Sequence, residues 1–98
     1  MYNRNPAVYI MANMRNGSIY VGVTGDLLNR VKQHKDDVHE GFTKKYQCHS
    51  LVWYEQFQYI NDAIAREKYL KKRKKRIEKM ELIELDNPKW LDLAEDWY

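Results

Sequence analysis

Residues 17–34, GSIYVGVTGDLLNRVKQH, read as a strand, a tight turn and the first turns of a helix. Residues 18–23, SIYVGV, are β-branched and aromatic, as are residues 7–12, AVYIMA, so both are expected to be strands. Asn16-Gly17 between them is a strong hairpin signal. A two-residue turn there would pair Arg15 with Ser18, Asn13 with Tyr20 and Met11 with Gly22. Strand alternation then puts Tyr9, Met11, Tyr20 and Gly22 on one face, with Val8, Ile10, Ile19, Val21 and Val23 on the other. Tyr20 is left where water or a ligand can reach it.

Thr24 or Asp26 is expected to cap a helix running to about Asp37. Leu27, Leu28, Val31 and Val38 form its apolar stripe, and Arg30 and His34, one turn apart, border that stripe and lean toward the sheet. Residues 40–50 read as a loop, residues 51–57, LVWYEQF, as a third strand. Asn61 or Asp62 then caps a second helix that takes in the basic run, and a third helix reaches about Leu85, before Asp86-Asn87-Pro88 breaks the pattern. Trp90, Leu91, Leu93 and Trp97 are expected to fold the tail back. The fold class is therefore α+β: a small three-stranded twisted sheet, an N-terminal β-hairpin plus a third strand, packed by about three helices. Residues 1–98 make one domain with no internal repeat and no linker.

A hydrophobic fraction of 44% argues against disorder, and no apolar run is long enough to span a bilayer, so no membrane is expected as a partner. No charged segment followed by an apolar stretch opens the chain, so no secretory leader is expected. The lone Cys48 has no partner for a disulfide and no metal-ligand spacing; it reads as structural and fits a reducing cytoplasm. The net charge of +3 hides an asymmetry. Residues 66–79, REKYLKKRKKRIEK, carry nine Lys/Arg against Glu67 and Glu78, a local +7 that leaves −4 for the rest. Charge runs are commonly solvated faces. This one lacks interleaved acids, so Lys71, Lys72, Lys74 and Lys75 are assigned to a polyanion, with nucleic acid as the partner.

Ile60, Ala63, Ile64 and Leu70 define the buried stripe of the second helix, and Glu67 falls in its middle. A buried carboxylate without a partner costs several kcal/mol. Three accounts stand: an ion pair with Arg30 or a lysine stem, a helix turned to expose Glu67, or a divalent-metal ligand at the edge of a cleft. Mg²⁺ often needs one carboxylate, with waters and substrate phosphate completing its shell.

The sequence thus carries Ala7-Val8-Tyr9, Tyr20-Val21-Gly22, Arg30 and His34 in LLNRVKQH, and Glu67 in AIAREKYLKK. In this order and spacing the motifs resemble the GIY-YIG endonuclease domain over nearly the whole chain. The GFTKKY and NPKWLDL segments are similar to those of its small stand-alone members. Ala7 departs from the glycine of the family name, a relaxed form common in that branch. The resemblance implies a metal-dependent endonuclease that hydrolyses phosphodiester bonds in DNA. By that analogy Glu67 holds one Mg²⁺ or Mn²⁺ beside the scissile phosphate. Arg30 stabilises charge at phosphorus and Tyr20 acts as base for the attacking water. His34 accepts the Tyr20 proton or orders the site, and Tyr9 orients water or phosphate. Tyrosine titrates near ~10, so the role asked of Tyr20 needs cationic neighbours. Asn87 matches a downstream family asparagine.

The second reading is a non-catalytic nucleic-acid-binding module that keeps the fold and the basic helix. A third, a structural protein using its C-terminal aromatics as a partner surface, has little support. Intact Tyr20, Arg30 and Glu67 favour the enzyme. With no recognition domain, sequence specificity would have to come from a protein partner or a homodimer.

Overall fold

The computed structural model describes residues 5–38 and 41–98. Strand β1 (Ala7–Ala12) lies at the centre of an antiparallel sheet of order β2-β1-β3, with β2 (Ile19–Thr24) and β3 (Ser50–Gln56) as its edges. Helix α1 (Leu27–Lys35) follows β2, α2 (Phe42–Lys45) precedes β3, and α3 (Ile60–Arg73) and α4 (Arg76–Asp86) follow it. This is the expected α+β fold. No helix among the described residues is long and apolar enough to cross a membrane.

The hairpin closes differently from a two-residue turn. Ala12 pairs with Ile19, Met11 with Tyr20 and Tyr9 with Gly22, so the pairing is displaced by two residues. Gly17 N–H donates to the Met14 carbonyl at 3.0 Å, Ser18 N–H donates to Asn13 Oδ1 at 2.9 Å, and Asn16 adopts a left-handed φ of 60°. The Asn13 side chain thus replaces a rung of the ladder and lengthens the loop. A displacement of two leaves every side chain on its face. Val8, Ile10 and Val21 pack with Ala63 and Leu70 of α3 and Ile83 of α4; Tyr9 and Met11 pack with Leu27 and Val31 of α1 on the opposite face. Ile10 pairs with Trp53 while Met11 pairs with Leu51, so Val52 is a bulge residue. The bulge turns both Val52 and Trp53 toward the α3–α4 side.

Several boundaries differ from expectation. Asp26 caps α1 by accepting from Asn29 N–H at 3.2 Å, and the helix stops at Lys35, leaving Val38 exposed. Residues expected as loop include α2. The N-cap of α3 is Tyr59 without a side-chain bond, so neither Asn61 nor Asp62 caps it, and Ile60 is exposed. The basic run does not continue one helix: Lys74 takes an extended conformation between α3 and α4. Arg76 then donates to the Asn16 and Gly17 carbonyls, and Arg66 Nε donates to Glu55 at 3.0 Å, so both of these arginines are spent on contacts outside the run. Trp90 is buried as expected, but Leu91 and Leu93 are exposed. Trp97 packs against the Tyr9 cluster as expected, and polar groups hold the rest of the tail: Asp92 Oδ1 accepts from Leu51 N–H and Ala94 N–H, both at 3.0 Å, and Leu93 N–H donates to the Leu51 carbonyl. Cys48 is buried beside Met11 and Leu51, and burial pushes its thiol pKa up, in keeping with a structural role.

Candidate active site

Tyr9 is fully buried on the central strand, and its ring crosses Gly22 of the neighbouring strand. A Cβ at Gly22 would stand 2.5 Å from both Tyr9 Cζ and Oη, and 2.9 Å from Tyr20 Cε2. Glycine is therefore required here by close approach, and Tyr9 and Tyr20 settle with ring centroids 6.3 Å apart. Helix α1 lies over this face and lowers His34 between them, 5.5 Å from each ring.

The Tyr9 hydroxyl is 2.7 Å from His34 Nε2, and His34 Nδ1 is 3.0 Å from Thr43 Oγ1. Burial pushes the Tyr9 hydroxyl well above the ordinary tyrosine range. The nearby Tyr20 and Glu67 charges push the same way, and the adjacent Arg30 guanidinium opposes them without prevailing. Tyr9 therefore stays protonated, and its hydroxyl and that of Thr43 hold the two ring nitrogens of His34. Both ring nitrogens are committed, so the arrangement fits an ordering role for His34 better than capture of a proton from Tyr20. No buried side-chain polar atom among the described residues lacks a partner.

Glu67 comes from the other side of the sheet. Helix α3 packs on the face opposite α1 and against the edge strand β2. Its Lys71 ammonium nevertheless lies 5.7 Å from the Tyr20 ring centroid, and Lys71 Nζ is 2.9 Å from Glu67 Oε2. Both side chains reach past the open edge of β2, and the Glu67 charge is felt at Tyr9. Of the three accounts of Glu67, the ion pair with a lysine stem is the one seen; the carboxylate is neither in an Arg30 pair nor turned out, with its side chain 15% exposed. Tyr9, Tyr20, Arg30 and His34 thus share the α1 face of the sheet, and Lys71 links Glu67 to them through the Tyr20 ring. Lys72 and Lys75 are exposed beyond it, and Lys74 lies 3.7 Å from Glu78.

The described residues contain no group of three or more His, Cys, Asp or Glu side chains arranged to hold a metal ion. Glu67 alone fits a hard cation that takes one carboxylate and otherwise water and phosphate oxygens. Its competing partner, Lys71, is a flexible surface chain that can be displaced.

Two residues enter that sequence reasoning left without a role. Thr43 sits in a four-residue helix too short for any periodic signal, within the GFTKKY segment. Phe42 of the same helix stacks on Tyr20 at 6.3 Å and 30°. Asn87, by contrast, is spent on structure: its Nδ2 donates to the Val52 and Leu91 carbonyls at 3.1 and 2.8 Å, and its Oδ1 accepts from Leu91 N–H.

The family model for the GIY-YIG catalytic domain matches residues 5–81. The chain is also similar to the solution NMR structure of a UPF0213 protein from Bacillus halodurans, at 26% identity and a TM-score of 0.55, over 94% of this chain and 97% of that one. No curated protein matches it. With the family model covering most of its length, the chain belongs to the GIY-YIG family of catalytic domains, which are nucleases that generally use divalent metals.

Proposed function

We propose that this protein is a cytoplasmic, metal-dependent endonuclease that hydrolyses phosphodiester bonds in DNA. The observation that carries the reading is Lys71, which pairs with Glu67 and lies 5.7 Å from the Tyr20 ring centroid, linking the carboxylate to the tyrosine–histidine cluster although α1 and α3 lie on opposite faces. A carboxylate held inside a helix's buried stripe for an exposed lysine gains little in stability, since such pairs contribute about 0.3–0.5 kcal/mol. Its position beside two tyrosines and an arginine is better accounted for by chemistry.

Glu67 would hold one Mg²⁺ or Mn²⁺, which when bound supplies Lewis-acid stabilisation of charge on the scissile phosphate. Arg30 offers fixed donors to that phosphate and, through its contact with Tyr9, is tied to the ordered network. Tyr20 is half-buried with the Lys71 ammonium 5.7 Å from its ring centroid, and its hydroxyl would take the proton from the attacking water. Tyr9, kept protonated, orients His34 through its hydroxyl. Lys71, Lys72, Lys74 and Lys75 supply phosphate contacts whose strength comes from counterion release. The alternative of a binding module that keeps the fold has no observation in its favour that the enzyme lacks.

The test is Glu67→Gln, assayed for cleavage of labelled DNA with and without Mg²⁺, and for thermal stability. Loss of a metal ligand predicts cleavage down by orders of magnitude, DNA affinity without metal level or higher, and a melting temperature close to wild type. A variant that cleaves normally per folded molecule would overturn the assignment.

A further inference from the structure

Helix α2 extends the aromatic cluster out of the cleft. Phe42 stacks on Tyr20, and Tyr46, one turn on, packs against Phe42 with centroids 4.6 Å apart. These rings are not a lid driven into a core: Phe42 is 44% and Tyr46 41% exposed. Lys45 Nζ lies 5.5 Å from the Tyr46 ring centroid, and Lys44 is exposed beside it. The result is a row of aromatic faces, continuous from a candidate catalytic tyrosine to solvent and flanked by ammonium groups. Exposed rings with cationic neighbours bind the two parts of a nucleic-acid strand at once: base faces stack on the rings and phosphates meet the lysines. A duplex keeps its base faces inside its own stack and can offer this surface only phosphate and sugar.

We propose that Phe42 and Tyr46, with Lys44 and Lys45, form a stacking platform for unpaired bases next to the phosphate held at Tyr20 and Glu67, so that single-stranded DNA is the preferred substrate class. The substrate class rests on the nuclease reading; the binding platform does not. Lys44 and Lys45 fix the strand's backbone on the outer side, Lys71 on the cleft side. Stacking discriminates weakly among bases, so little sequence preference is expected from this surface.

The test is equilibrium binding by fluorescence anisotropy, without metal, using a labelled single strand, the same strand made of abasic nucleotides, and its duplex. Charge is equal in the base-bearing and abasic strands, so their difference isolates stacking. The base-bearing strand should bind wild type roughly 5- to 100-fold more tightly than the abasic one, as stacking of a base on an aromatic ring implies. Phe42→Leu with Tyr46→Leu should erase that difference and leave duplex binding unchanged. Equal binding of the base-bearing and abasic strands by wild type would overturn the proposal without recourse to any variant. So would an equal loss of single strand and duplex in the double variant, or a base preference that survives it. Because binding is read without metal or cleavage, the platform stands or falls on this assay alone, while the nuclease reading stands or falls on the cleavage assay of wild type and Glu67→Gln.

Discussion

Gly22→Ala isolates what holds the tyrosine cluster in place. In an open strand position alanine in place of glycine stabilises by about 0.4–1 kcal/mol, because the unfolded chain loses freedom. Here the added carbon would stand 2.5 Å from Tyr9 Cζ and Oη, against an ordinary contact of about 3.5–4.0 Å. One of the two must give by about 1 Å. The Tyr9 ring is fully buried and has no empty side to move into. A 1 Å retreat of its hydroxyl also takes the 2.7 Å contact with His34 outside hydrogen-bonding range. Overpacking costs about 1–3 kcal/mol and the lost hydrogen bond about 1 kcal/mol more, so the sign reverses. Net of the alanine gain the loss is about 1–3.6 kcal/mol, and at about 4–8 °C per kcal/mol for a domain of this size the melting temperature should fall by roughly 4 °C or more. Cleavage per folded molecule, measured well below that temperature, should fall by about 100-fold, the scale of a 1 Å misplacement. Calorimetry and a gel-based nuclease assay on the same preparation read both. An unchanged or raised melting temperature would refute the argument that close packing over Gly22 sets the position of Tyr9.

Thr43→Val removes the hydroxyl that bonds His34 Nδ1 and takes that bond from a buried polar atom, at about 1–3 kcal/mol, whereas Thr43→Ser keeps the hydroxyl. Thr43→Val should therefore alter the pH–rate profile as well as stability, and Thr43→Ser should restore the wild-type profile; identical profiles for all three would assign Thr43 to packing alone. At Asp92, burial raises the carboxyl pKa, but hydrogen bonds from Lys35 and from Leu51 and Ala94 N–H outweigh it, and the net shift is downward. The stability Asp92 contributes is thus present above the unfolded carboxyl value of about 3.9 and disappears as pH falls through the lower folded value. Melts taken from neutral pH downward should show an acid limb below about pH 4 that Asp92→Asn flattens; an unaltered limb in the variant would place acid sensitivity elsewhere.

How much of this was legible in the sequence depends on which physical rule each feature obeyed. The faces of the hairpin were legible and its turn was not, for one reason. Side-chain alternation has period two, so a loop longer than the Asn16-Gly17 signal suggests, but longer symmetrically, still leaves Tyr9 and Tyr20 together. What Asn13 does was hidden, because a side-chain bond to Ser18 N–H competes with the ladder only once both strands are in place. The break at Lys74 carries no glycine or proline to announce it. Helix α3 stops where consecutive cations crowd its last turn, and Arg76 finds the hairpin carbonyls as partners. Thr43 was invisible because a four-residue helix has no periodicity to read.

Glu67 shows the limit most clearly. Its misfit in an apolar stripe was visible, and so was its need for a partner. The identity of the partner was not, because Arg30 and Lys71 are equally plausible cations in one dimension. The sheet decides between them. Helix α1 and helix α3 cover opposite faces, so Arg30 and Glu67 can approach only past the edge of β2. Lys71, one turn along the same helix as Glu67, is already there. The carboxylate is thereby left with a partner that is exposed and replaceable. A core ion pair with Arg30 would have satisfied both groups and left neither for substrate. With Lys71 as its partner instead, Glu67 would, under the proposed mechanism, exchange an ammonium for a metal ion when a phosphate arrives. Arg30, meanwhile, remains beside Tyr9, where charge on that phosphate would develop.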